Sequence, residues 1–97
     1  MPTYVGLMNY TQQGMQSIKD GPGRVEAARQ AIQAAGGEMK AFYWTMGQYD
    51  AIAIVDAPSD EAVSRIVLTV SAAGNVRFQT LRAFTTEEFG GIVAGLP

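Results

Sequence analysis

Apolar positions recur along the chain with two periods, strand-like over four stretches and helical over two. Thr3 to Asn9 reads as a first strand, with Val5 and Leu7 on one face and Tyr4, Gly6 and Met8 on the other. Thr11-Gln12-Gln13-Gly14 reads as a turn or a loose first helical turn. The short apolar stretch with Met15 and Ile18 is interrupted by Asp20-Gly21-Pro22-Gly23. Asp20 or Gly21 can cap a helix that has Pro22 in its first turn. That helix is predicted from about Arg24 to Ala35, with Val25, Ala28, Ile32 and Ala35 as its buried stripe. Gly36-Gly37 ends it, because glycine accepts the left-handed conformation past a helix C-terminus.

Glu38 to Met46 is predicted as an aromatic-rich second strand, with Phe42, Trp44 and Met46 on one face and Met39, Ala41 and Tyr43 on the other. Gly47-Gln48 then forms a tight connection into a third strand, Tyr49 to Val55, which should pair antiparallel with the second. Ser59 caps a second helix, and Asp60 and Glu61 lie at the positive end of its dipole. Val63, Ile66, Val67 and Val70 form its apolar stripe, and Ala72-Ala73-Gly74-Asn75 stops it. A fourth strand spans Val76 to Phe84. Thr85-Thr86-Glu87-Glu88 fits a capping box before a short tail helix carrying Phe89, Ile92 and Val93.

The order βαββαβ predicts an α+β, ferredoxin-like domain over residues 1–97: an antiparallel four-stranded sheet with two helices on one face and a short C-terminal helix. Two helices cover one face, so the other should turn polar. It does not, because both faces of every strand are largely apolar: Val5/Leu7 and Tyr4/Met8, Phe42/Trp44/Met46 and Met39/Ala41/Tyr43, Ile52/Ile54 and Ala51/Ala53/Val55, Leu81/Ala83 and Val76/Phe78/Phe84. A second copy of the domain is the simplest cover, and the tail helix is the alternative.

Composition narrows the chemistry. Of 97 residues, 16% are charged, well under the usual quarter, which again favours surface hidden in an oligomer. The net charge of −2 argues against a nucleic-acid partner. No histidine or cysteine is present, which removes imidazole bases, thiol nucleophiles, disulfides and the nitrogen and sulfur ligands of transition metals. No metal and no cofactor are therefore expected. No signal peptide or membrane span is read from the sequence, and the cytoplasm is the expected compartment.

Few residues cluster as a site would. Asp50 and Asp56 bracket the third strand roughly 20 Å apart, too far to act on one bond. Lys19, Arg24 and Arg29 lie near the first helix, and Arg77 and Arg82 on the last strand. Tyr43-Trp44-Thr45-Met46-Gly47-Gln48-Tyr49-Asp50 is denser. Its aromatics can wall a pocket while Asp50 fixes a donor. Alternatively the aromatics are core, Gly47 permits the turn and Asp50 caps backbone amides or pairs with an arginine; short hairpins need such residues anyway.

Gly47-Gln48-Tyr49-Asp50 matches the Gly-x-Tyr-Asp signature of the GYD-domain family. The chain resembles that family also at Tyr10-Thr11-x-x-Gly14, Ile18-Lys19-Asp20, Pro22-x-Arg24-Val25-Glu26-Ala27-Ala28, Asp56-Ala57-Pro58-x-Asp60 and Gly74-Asn75-Val76-Arg77, and from Thr80 to Phe84. Phe78 departs from the pattern, standing where a small polar residue is more usual. The resemblance implies a ferredoxin-like, dimeric α/β-barrel fold and no particular activity. It marks Thr11, Lys19, Arg24, Tyr49, Asp50 and Arg82, which join Tyr43 and Trp44 as candidate ligand-binding residues.

Two classes of function fit. The first is a homodimeric or larger homo-oligomeric module that binds a small apolar molecule or serves as a regulatory accessory. The second is a cofactor-free enzyme like the small monooxygenases and isomerases of this fold. There, Asp50, Tyr49 or Arg82 would handle protons or an enolate beside an apolar substrate.

Overall fold

A computed structural model describes all 97 residues. The elements run β1 (Thr3–Tyr10), α1 (Gln12–Gln16), a 3-10 turn (Ile18–Asp20), α2 (Gly21–Ala34), β2 (Glu38–Trp44), β3 (Ala51–Asp56), α3 (Asp60–Ala72), β4 (Val76–Ala83) and α4 (Thr86–Ala94). The strands form one antiparallel sheet in the order β2-β3-β1-β4. This is the ferredoxin-like arrangement expected from the pattern, with β1 and β3 at the centre.

The register sorts the side chains. Tyr4, Met8 and Tyr10 of β1 share a face with Ala51, Ala53 and Val55 of β3 and with Val76 and Phe78 of β4. This face turns toward α2 and α3, where Ile32 and Val63 join the buried core. Val5, Leu7, Ile52, Ile54, Tyr43 and Leu81 occupy the other face. Local capping fixes the helix starts: the Ala62 N–H donates to Ser59 Oγ at 3.1 Å, and the Thr85–Glu88 capping box opens α4.

Several sequence expectations are corrected. Met39 lies on the helix side rather than with Ala41 and Tyr43. The β2–β3 register shifts between Met39 and Ala41, a bulge at Lys40 that reverses the alternation. The β2–β3 connection is a six-residue loop, 45–50, and not a two-residue turn at Gly47-Gln48. It closes because the Thr45 N–H donates to the Asp50 carbonyl at 2.9 Å and Thr45 Oγ1 donates to the Tyr49 carbonyl at 2.6 Å. Gly47 supplies the left-handed residue at φ +101°. The first long helix begins at Gly21, ahead of Arg24, since Pro22 presets a helical φ. The tail helix does not cover the sheet: every residue of α4 is exposed.

The core is thin. Only 12 of 97 residues are buried, so the helices leave much of the sheet's apolar surface open. One close approach is critical to their placement. Gly14 in α1 abuts the turn before β4, and a Cβ there would stand 2.0 Å from the Asn75 carbonyl oxygen. Gly14→Ala must displace backbone, and we expect a loss of about 2 kcal/mol or more in urea unfolding. Gly23→Ala, in open helical space, should be neutral or stabilise by up to about 1 kcal/mol.

Candidate functional site

Between the helix layer and the sheet lies an open apolar cavity of about 340 Å³. Its floor is the helix-facing row of β1, namely Tyr4, Gly6, Met8 and Tyr10, with Ala53 and Phe78 beside it. Its roof is the inner stripe of α2 (Val25, Ala28, Ala31) and of α3 (Ile66, Val67, Val70). Small residues make the room. Gly6 leaves the centre of the floor low, and the alanines of α2 bring no bulk to the roof. Of the 24 lining residues, 19 are hydrophobic; the polar side chains among the rest are Arg24, Asn75 and Thr80, the last paired opposite Gly6 at mid-floor.

One end is built on Tyr10. Trp44 Nε1 donates to the Tyr10 hydroxyl at 3.0 Å, and Trp44 packs edge-to-face on Phe42 at 4.9 Å. Gly21 lies so close that a Cβ would stand 3.3 Å from the same hydroxyl. Arg24, one turn further along α2, also lines the cavity. Its guanidinium donates to Ser17 Oγ at 2.9 Å and pairs with Asp20 at 3.8 Å. Tyr10 itself is held from behind: its N–H donates to Asp50 Oδ2 at 2.9 Å, and the Asp50 N–H donates to the Met8 carbonyl at 2.8 Å.

The opposite end is built on Tyr4, only 4% exposed. Its hydroxyl donates to Asp60 Oδ1 at the start of α3. That bond holds the tyrosine proton and, with burial and the nearby carboxylates, raises the Tyr4 pKa above 10.0; Arg82 opposes the shift. The Arg82 guanidinium carbon lies 4.5 Å from the Phe84 ring centre and 5.8 Å from that of Tyr4. Arg82 also pairs with Glu88 at 3.7 Å. The backbone N–H of Thr85 is the main cause that lowers the Glu88 pKa, and Arg82 adds to it.

The candidate residues read from the sequence thus fall in different places. Arg24 lines the cavity, Trp44 bonds the Tyr10 hydroxyl without itself lining it, and Asp50 supports Tyr10 from outside the cavity. Thr11 ties chain segments together: it caps α1 and donates through Oγ1 to the Gly74 carbonyl at 2.6 Å. Tyr43 stands on the open face, 64% exposed, and the Tyr49 hydroxyl donates to Gln79 Oε1 at 2.7 Å. Lys19 is exposed on the 3-10 turn. Arg82 belongs to the Tyr4 end. Sequence reasoning does not single out Tyr10, Tyr4 or Asp60. The alternation Tyr4, Gly6, Met8, Tyr10 is the one signal that points to the two tyrosines.

A family model described as the GYD domain matches residues 4–93. A curated Thermus thermophilus protein, "glutamine synthetase and cystathionine beta-lyase binding protein", is 30% identical over 84 residues, covering 86% of this chain and 88% of its own. A crystal structure of the Thermus thermophilus protein TTHA0845 is 25% identical, with a TM-score of 0.57, covering 89% of this chain and 96% of its own. A feast or famine regulatory protein from M. tuberculosis, complexed with L-methionine, superposes with a TM-score of 0.67 at 15% identity, covering 89% of this chain. The chain spans 52% of that regulator, whose likeness shows the fold.

The Asp50 geometry sets a stability test. Asp50→Ala leaves the Tyr10 N–H without its acceptor, and we expect a loss of about 1–3 kcal/mol in urea unfolding. Asp50→Asn keeps an acceptor oxygen and should recover at least half of that loss. An Asp50→Ala protein as stable as its parent would show that the bond carries no weight.

Proposed function

The chain belongs to the GYD-domain family, and on that footing we propose that it is a small-molecule-binding regulatory or accessory module acting as a homo-oligomer. The observation that carries this reading is the cavity. A sealed apolar void of 340 Å³ would cost about 8 kcal/mol, comparable with the whole net stability of a domain this size. The open mouth relieves that cost only by wetting apolar walls. An apolar molecule removes the penalty and is stabilising by mass action.

The ends of the cavity suggest the ligand's polarity. At the Tyr10 end the hydroxyl accepts from Trp44, so its own proton is oriented by what approaches it. Arg24 also lines the cavity, with its guanidinium bonded to Ser17 and paired with Asp20. An apolar body with one acceptor or anionic group suits this end. The enzyme alternative has less support. Asp50 does not line the cavity, and Asp60 is engaged by Tyr4.

The accessory side of the proposal rests on the 30% identical relative, whose name describes binding to two enzymes. The homo-oligomer rests on the open face. Val5, Leu7, Ile52 and Ile54 are only partly covered there, and Leu81 and Tyr43 are exposed. A two-fold packing of sheet on sheet would bury them.

Trp44 is the one tryptophan and donates to the hydroxyl of Tyr10, which lines the cavity, so its emission should respond to occupancy. Titration with decanoate and with decanol should shift Trp44 fluorescence saturably, with decanoate the tighter. Ala28→Phe, which fills the cavity from its roof, should weaken binding at least about tenfold without lowering the melting temperature. A saturable shift that survives Ala28→Phe unchanged would place the ligand elsewhere. No shift with either probe, and no retained molecule in native mass spectrometry, would refute the small-molecule reading.

A further inference from the structure

We propose that the cavity is entered through the cleft between α2 and α3, and that Arg65 at the outer rim of that cleft draws in anionic amphiphiles. On the outer side the two helices form a groove of about 300 Å³. Ala31, Ile66 and Val70 line this groove and also the cavity beneath it. The two hollows are therefore separated by one methyl group and two aliphatic side chains. Ala27 and Ala31 line the cavity and are nevertheless exposed, so solvent already reaches its wall along this flank of α2.

The fastening of the two helices shows which wall gives way. Helix α3 is tied at both ends to residues distant in the chain. The Tyr4 hydroxyl holds Asp60 at its start. Beyond its C-terminus, Thr11 Oγ1 donates to the Gly74 carbonyl at 2.6 Å and Gln13 Nε2 to the Ala73 carbonyl at 3.0 Å. The side chains of α2 reach out of the helix only to nearby segments: Arg24 to Ser17 and Asp20, and Arg29 to the Met39 carbonyl at 3.4 Å. No ion pair joins α2 to α3. Apolar contacts slide past one another, whereas buried hydrogen bonds must break before a helix can leave. Helix α2 is thus the wall that parts from α3, a local opening of the low-stability kind.

The rim carries the selectivity. Arg65 lines the groove but not the cavity, is exposed, and pairs with no carboxylate, Glu61 one turn before it included. The chain has a net charge of −2, which repels an anion at long range. A free guanidinium at an otherwise apolar mouth offsets that repulsion locally. It receives an anionic head while the tail passes Ala31.

This inference rests on the small-molecule reading above, and kinetics separates the two. A gate alters association and dissociation alike and leaves their ratio unchanged. Stopped-flow measurement of Trp44 fluorescence with decanoate and decanol reads both rates. Ala35 and Thr69 line the groove and not the cavity, and both are exposed. Ala35→Phe/Thr69→Phe should slow both rates at least about fivefold for each probe, with the dissociation constant held within about twofold. The chain has no cysteine, so Thr69→Cys can be capped with benzyl methanethiosulfonate and freed by reductant, closing and reopening the cleft in one folded protein. Arg65→Gln should slow association of decanoate about threefold at low ionic strength, but not at about 0.5 M salt and not for decanol. Rates unchanged by either plug overturn the portal and leave the cavity reading standing. So does slowing by Thr80→Phe alone, which would put the entrance on the β4 flank. Faster dissociation with unchanged association in the plugged forms would make the groove a seat and not a gate. No saturable signal with either probe overturns the portal together with the reading it rests on.

Discussion

One constraint governs this molecule: a sheet apolar on both faces, in a chain that supplies two long helices as cover. Strand β1 concentrates the problem. It is paired on both sides, and it turns Tyr4, Met8 and Tyr10 one way and Val5 and Leu7 the other. On the helix side the alanine-rich α2 and the valine-rich α3 roof the sheet without filling the space beneath. On the far side the chain supplies nothing. The cavity and the bare face are two consequences of one shortage of covering mass, as expected where surface is large relative to volume.

The family's Gly-x-Tyr-Asp segment acts on the same strand. Asp50 takes the N–H of Tyr10 on its carboxylate and gives its own N–H to Met8, so it clamps the end of β1. Thr11 then fastens the following residues to the turn before β4. The clamp fixes where Tyr10 stands, and Tyr10, whose hydroxyl takes the Trp44 indole N–H, lines the cavity. The signature residues therefore reach the cavity indirectly: Asp50 never touches it, yet it positions a residue that does. Tyr49 does similar work on the open face by reaching across to Gln79.

Period and punctuation in the sequence are enough for the sheet, the two long helices and the capped tail. Alternation in β1, β3 and β4 sorts their residues correctly because those strands are regular. It fails for Met39 because a bulge changes the phase of one strand, and nothing in Glu38-Met39-Lys40 announces that. The loop 45–50 is longer than its Gly47-Gln48 pair suggests because its closing bonds come from Thr45, whose hydroxyl and N–H reach residues four and five further on. The site is legible only in part. Charge and aromatic density draw attention to the β2–β3 loop, whereas the cavity is made by what is missing, the side chain of Gly6 and the bulk of Ala28 and Ala31. Small residues carry no chemical signal in a sequence. Pairings such as Tyr4 with Asp60, 56 positions apart, depend on the fold itself.

The shortage of cover also bears on how such a domain can regulate. A strand whose two faces serve two different occupants is a mechanical link between them. An apolar molecule bound in the cavity, as proposed, would press on the strand that presents Val5 and Leu7 on the other face. Coupling of this kind is reciprocal in free energy: whatever factor a ligand imposes on assembly, assembly imposes on the ligand. Both proposed binding events would use strand β1, and so would share backbone with no separate pathway of side chains between them.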